Sequence, residues 1–151
     1  MQAHMLVRLY EQRDQTHMKS FLRGLPEGLE QSFHEAFQDG ENAVAYLKLL
    51  EEEGHRELNP NLVNGMPYFA FGDGHTEDAL AIIDYASERF PDDSNLHDSR
   101  GEFLVALDRK EEAGAAITRA LELLEAERSK LKPDDYAGKQ EMYTEHLEEL
   151  E

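Results

Sequence analysis

The sequence predicts an all-α protein: antiparallel helical hairpins stacked as a short right-handed solenoid, flanked by an N-terminal and a C-terminal helix. Three observations carry this expectation. First, a pattern of small and branched residues recurs after 34 positions, with Ala79, Ile83 and Ala86 returning as Ala113, Ile117 and Ala120 (113 − 79 = 34). A repeat of that length corresponds to one helix-turn-helix unit. Second, the two alanines of each set are seven apart and share a helix face, so two backbones can approach closely there, with the isoleucine between them supplying bulk. Third, the apolar residues elsewhere follow helical spacing, and the Val- and Ile-rich runs that strands need are missing.

The elements follow in order. An N-terminal helix over about 3–22 carries the apolar stripe Met5, Leu6, Leu9, Tyr10, Met18, Phe21 and Leu22, and Gly24 and Pro26 stop it. A first helix pair covers about 27–38 and 41–53, with Gly40 between its helices and Gly54 after them. In strict 34-residue register, Ala45 and Leu49 of this pair match Ala79 and Ile83. The pair is degenerate, because Glu52 and Glu57 replace the small residue and the proline. A second pair covers about 61–71 and 76–89, joined through Gly72-Asp73-Gly74 with Thr76 as N-cap. Pro91 ends it, standing at the position of Glu125 in the next repeat, while Gly74 falls in register with Asp108 and Pro67 with Gly101. Asp92, Asp93, Ser94 and Asn95 are turn and capping residues for a third pair, about 95–107 and 110–131. Lys132-Pro133 ends that pair, and Asp134 or Asp135 caps a last helix over about 136–150, whose acidic outer side suits a terminal cap. The chain thus reads as one domain over 1–151: N-terminal helix in 1–25, degenerate pair in 26–59, repeats in 60–93 and 94–127, and a capping helix in 128–151.

Composition narrows the function. With 33 acidic against 15 basic residues the net charge is −18. Nucleic-acid affinity comes largely from Lys and Arg neutralising phosphates, so nucleic acid is not an expected partner. Anionic membrane surfaces are disfavoured for the same reason. No apolar window approaches the length of a spanning helix, and Arg8, Glu11, Arg13 and Asp14 interrupt the first residues where a signal-peptide core would lie, so a cytoplasmic location is expected. The absence of cysteine excludes disulfides, thiol catalysis and Cys-ligated zinc.

Catalytic constellations are not visible. A nucleophile elbow needs glycine two residues on either side of the serine, and Ser99 has Gly101 after it but His97 before it. His97, Asp98 and Ser99 are sequence neighbours, and neighbours on a helix do not face each other. The histidines at 4, 17, 34, 55, 75, 97 and 146 never stand three or four apart, which leaves only a metal site assembled from distant residues. Gly72-Asp73-Gly74 has Glu77 where a third phosphate-loop glycine would be, and Asp73 would repel phosphate. The acidic pairs Asp92-Asp93 and Asp134-Asp135 read as caps and solvated faces. The expectation is a non-enzyme with no cofactor, no catalytic residue and no metal.

The segment Asn64–Leu124 resembles tetratricopeptide repeats. Within it Asn95–Ala120, with Asp98-Ser99-Arg100-Gly101-Glu102, is similar to the repeat appended to the C-terminus of many bacterial serine hydrolases, both α/β-hydrolase esterases and β-lactamase-like enzymes. Arg100 stands where that repeat commonly has leucine. The stretch Glu41–Tyr68 is similar to the linker helices that precede the repeat in the esterases. The resemblance implies a protein-interaction module, or alternatively an accessory domain of a serine hydrolase acting in cis or in trans. The hydrolase core itself is missing.

In stacked repeats the first helix of each pair lines a groove. The 34-residue register places Asn61, Asn64, Tyr68 and Phe71 beside Asn95, Asp98, Glu102 and Val105 as the candidate peptide groove. Modules of this family that clamp a C-terminal carboxylate use Lys, Arg and Asn there. With Asp98 and Glu102 as the charged members, a neutral or basic protein or peptide is the expected partner, or a second copy of the chain. The aromatics Tyr68, Phe69, Phe71, Phe33 and Phe37 read as core.

Overall fold

The computed structural model describes residues 40–52, 54, 58–68 and 74–151. The expected N-terminal helix over 3–22, the helix over 27–38, and Phe33, Phe37, Phe69, Phe71, Gly72 and Asp73 lie outside the described residues. All regular structure among the described residues is helical: α1 (Gly40–Glu52), α2 (Pro60–Gly65), α3 (Thr76–Arg89), α4 (Ser94–Ala106), α5 (Lys110–Glu127), a 3₁₀ turn (Arg128–Lys130) and α6 (Pro133–Glu148). The chain divides into two compact units, Met1–Tyr85 and Ala86–Glu151.

The 34-residue register is visible in the backbone. α2 begins at Pro60 and α4 at Ser94, while α3 begins at Thr76 and α5 at Lys110, each offset being 34 (94 − 60, 110 − 76). The turn residues obey it too. Gly74 has φ +84°, and Asp108, 34 residues later, has φ +58° and is the one non-glycine residue with positive φ among those described. Ala79, Ile83, Ala86, Ala113, Ile117 and Ala120 are all fully buried.

The first helix departs from that register. Ala45 is exposed and Leu49 is 37% exposed, so neither plays the role expected of it. The buried face of α1 is Ala43, Tyr46, Leu47 and Leu50. Ala43, Leu47 and Leu50 stand 36 residues before Ala79, Ile83 and Ala86 (79 − 43 = 36), as does Gly40 before Thr76. The two extra residues fall between α1 and α2, whose starts are 20 apart, against 18 for α3 and α4 (60 − 40; 94 − 76). Gly54, with φ +71°, closes α1 by donating its N–H to the Glu51 carbonyl at 3.2 Å. Leu58, Val63, Met66 and Tyr68 complete the buried set of this unit with Leu80 and Ile82.

In the second unit Asp93 caps α4, its carboxylate accepting the Leu96 N–H at 3.0 Å. The other end of α4 closes through a left-handed residue. Asp108 donates to the Val105 carbonyl at 3.0 Å and Arg109 to the Leu104 carbonyl at 2.9 Å, the paired pattern of a Schellman motif. α5 starts at once, with Glu111 and Glu112 in its first turn, where the helix dipole favours acids. Lacking a proline at Glu125, α5 runs for 18 residues, whereas α3, followed by Pro91, runs for 14. It ends before the expected 131, its last turn tightening to 3₁₀. The end of the chain also differs from expectation. Pro133 begins α6 rather than separating it from its cap, because the first helical position needs no N–H. Lys132 is the cap residue, and Asp134 and Asp135 lie inside the first turn.

α4 and α5 pack at closest range around Gly101, which is buried. A Cβ at that position would stand 2.5 Å from Ile117 Cγ1 and 3.4 Å from the Ala113 carbonyl oxygen. α6 covers both helices. Its contacts with α5 run from Tyr136 against Glu125 to Leu150 beside Gly114, which makes the two antiparallel. Its contacts with α4 run from Tyr143 against Ser94 to His146 against Asp98, which makes those two parallel. Ile117, Ala120, Leu124, Tyr136 and Tyr143 form the core beneath, with Leu121, Leu131, Leu147 and Leu150 packed on it.

Two predictions follow from this packing. Gly101→Ala removes a helix-breaking residue, which alone would stabilise by about 1 kcal/mol. The overlap with buried, β-branched Ile117 outweighs that gain, and urea unfolding should show a net loss of about 1–3 kcal/mol; a stabilised variant would disprove the close approach. The Tyr136 hydroxyl donates to Glu125 and holds its carboxyl below the usual 4.5. A depressed carboxylate contributes stability above its unfolded pKa and loses it as pH falls through the folded value. Tyr136→Phe should therefore move the Glu125 titration upward by NMR, and the stability gap between variant and parent should shrink on acidification.

Candidate functional site

The side chains proposed for the groove fall in both units. Of those on the first unit, Asn64 and Tyr68 are buried, and the Asn64 Oδ1 has no hydrogen-bond partner among the described residues. The side chain of Asn61 and all of Phe71 lie outside the described residues. On the second unit Asn95, Asp98, Glu102 and Val105 lie on α4 at helical spacing. Asn95 is half-buried, Asp98 is buried at 2%, and Val105 is 42% exposed. Asp98 does not face solvent, because His146 of α6 docks against it.

What α6 brings there is His146. Its Nδ1 lies 2.9 Å from Asp98 Oδ1 and 3.1 Å from Oδ2. Its Nε2 lies 3.4 Å from Glu102 Oε1. Asp98 and Glu102 are one helical turn apart, so both carboxylates reach the same ring. The hydrogen bond to Asp98 pushes the imidazole up to about 9, more than offsetting the opposing effect of burial, and the charges of Asp98, Glu102 and Glu149 add to it. A base must be unprotonated near the working pH, so His146 in this state does not act as one at neutral pH.

The polar contacts around this ring are ordered. Ser94 Oγ and Tyr143 Oη are 3.2 Å apart in the interior, and burial pushes the Tyr143 phenol well above its usual value. The neighbours His97, Asp98 and Ser99 diverge, as helix geometry requires. His97 Nε2 reaches the Pro91 carbonyl oxygen at 2.8 Å, Asp98 turns to His146, and Ser99 is buried. No serine–histidine–aspartate relay forms among them. The sequence reading placed Asp98 and Glu102 together but missed His146, which is 48 residues from Asp98 and has no helical-spacing signal to announce it.

Among the described residues no helix is long and apolar enough to cross a membrane. No family model, no curated protein and no solved structure matches the chain.

Burial ranks the two carboxylates. Breaking a buried charged pair costs about 3–5 kcal/mol, and the partial exposure of His146 lets its ring relax toward water, so Asp98→Ala should cost about 1–3 kcal/mol. Glu102 is 37% exposed, and Glu102→Gln should cost less than about 1 kcal/mol. Chemical denaturation at neutral pH in the presence of a chelator measures both; equal losses would contradict the ordering of the site.

Proposed function

We propose that the chain is a non-catalytic protein-interaction module of the tetratricopeptide type. The observation that carries this reading is the shared 34-residue offset of helix starts, left-handed turn residues and buried Ala-Ile-Ala sets. Regular spacing of this kind is what a solenoid of helix-turn-helix units requires, each unit burying its apolar face on the next. The placement of α6, parallel to α4 and antiparallel to α5, agrees with a further helix stacking on the preceding pair. In this reading α6 closes one end of the array, and its acidic residues face water.

The partner is a neutral or basic peptide segment. The accessible part of the α4 stripe is Asn95, Glu102 and Val105, which offers an amide, a carboxylate and an apolar contact on one face. The net charge of −18 steers cationic partners toward the chain and repels nucleic acid. Peptide display on the full chain tests this. Enriched peptides should be neutral or basic, and Glu102→Lys and Val105→Glu should each weaken them at least tenfold while leaving the helical circular dichroism signal unchanged. Failure to enrich any peptide, or binding indifferent to both substitutions, would remove α4 as the recognition face. If light scattering shows a dimer that the same substitutions dissolve, the partner is a second copy of the chain.

A further inference from the structure

We propose that His146, Glu102 and Asp98 form a site for one divalent transition-metal ion of the zinc class. The argument starts from the valence of imidazole. A neutral ring carries one N–H and one lone pair. In this site both ring nitrogens face carboxylate oxygens, Nδ1 toward Asp98 and Nε2 toward Glu102. When Nδ1–H is given to Asp98, the unprotonated Nε2 is left beside a negative oxygen 3.4 Å away. That arrangement is repulsive unless a cation lies between them. A proton meets the requirement with one charge, and a divalent ion meets it with two.

The distances suit the ion. Zinc holds nitrogen and carboxylate oxygen at about 2.0–2.2 Å, so two ligands of a tetrahedral ion stand roughly 3.3–3.6 Å apart. The gap from Nε2 to Glu102 Oε1 already has that width, and one donor atom from each of the three residues lies within 4.8 Å of the others. Each residue has a distinct part. Glu102, on the more open side, and His146 through Nε2 are the direct ligands, and water completes the shell. Asp98, buried and bonded to Nδ1–H, fixes the tautomer that turns the Nε2 lone pair outward. A carboxylate behind a ligating histidine is the usual companion of such ions and raises the basicity of the ring. A mixed imidazole and carboxylate set favours zinc over magnesium or calcium, which prefer oxygen alone. The ion would join α4 to α6, since its two ligands come from different helices.

The test uses the full chain stripped with chelator and titrated with zinc chloride at neutral pH, followed by calorimetry and by thermal unfolding. We expect one saturable ion per chain, a melting temperature that rises with zinc concentration, and at least tenfold weaker binding of magnesium and calcium. His146→Gln and Glu102→Gln should each weaken zinc at least tenfold, and Asp98→Asn should weaken it by about 10- to 100-fold although it removes no direct ligand. His75→Gln and His97→Gln, both away from the site, should bind as the parent does. The proposal is overturned if the parent shows only weak, non-saturating uptake. Unchanged affinity in Glu102→Gln, whose half-exposed position allows the fold to survive, would overturn it equally and leave the proton as the sole occupant.

Discussion

The second unit depends on how close two helix backbones can come at Gly101. With no Cβ there, α5 settles against α4 until Ile117 occupies the space a side chain would need. The requirement propagates in both directions along the pair. Ala113, Ala116 and Ala120 keep the α5 surface shallow, and Phe103 and Leu104 of α4 are buried as well. The three-residue turn from Leu107 to Arg109 works only if one residue adopts a left-handed conformation, and Asp108 does so. A larger residue at 101 would separate the helices and strain this turn at the same time. The small-residue set on the second helix and the left-handed turn before it recur together at an interval of 34, whereas Gly101 itself has Pro67 as its counterpart.

That recurrence is the part of the fold that was legible from residues alone. Small residues seven apart, a branched residue between them, and turn residues in register are local signals, and α3, α4 and α5 begin within about one residue of where they were expected. The first helix was legible as a helix but misread in its facing. A strict interval of 34 put Ala45 and Leu49 inward, whereas the longer connection before α2 shifts the buried set to Ala43, Leu47 and Leu50. A helix face rotates by about 100° per residue, so an undetected two-residue insertion turns the wrong side inward. The misassigned start of α6 has a similar cause. Proline ends one helix and begins another with equal ease, and only the packing of the helix after Pro133 decides between the two.

The candidate site was legible in half. Asp98 and Glu102 announce themselves as one-turn neighbours on a predicted helix. His146 does not, because no periodicity links two residues 48 apart. Its place follows from the parallel alignment of α6 with α4, which is a consequence of tertiary packing. The register does hold a weaker hint. Asn64 and Asp98 are 34 apart and both are buried polar residues, at 5% and 2% exposure. A buried polar residue calls for a partner. That rule marks Asp98 as a residue in search of a cation or donor, without naming which one.

The two interfaces of the second unit are of different kinds. α4 and α5 are held by shape, through alanines, Gly101, Ile117 and Phe103, none of which titrates or can bind an ion. α6 packs Leu147 on the same core and adds side chains that carry a polar end. Tyr136 reaches Glu125, Tyr143 reaches Ser94, and His146 reaches Asp98 and Glu102. Tyr136 and Tyr143 are the buried side chains of α6. Tyr143 with Ser94 is a neutral pair, worth only about 1 kcal/mol net, whereas the contacts of Tyr136 with the Glu125 carboxylate and of His146 with Asp98 involve charge and are the stronger polar ties of α6. Local openings draw on the least strongly held element first. On the proposal of a metal site, the α6 contact is where this unit can be loosened or tightened, and the occupant of the His146–Glu102 gap, proton or metal, would shift it.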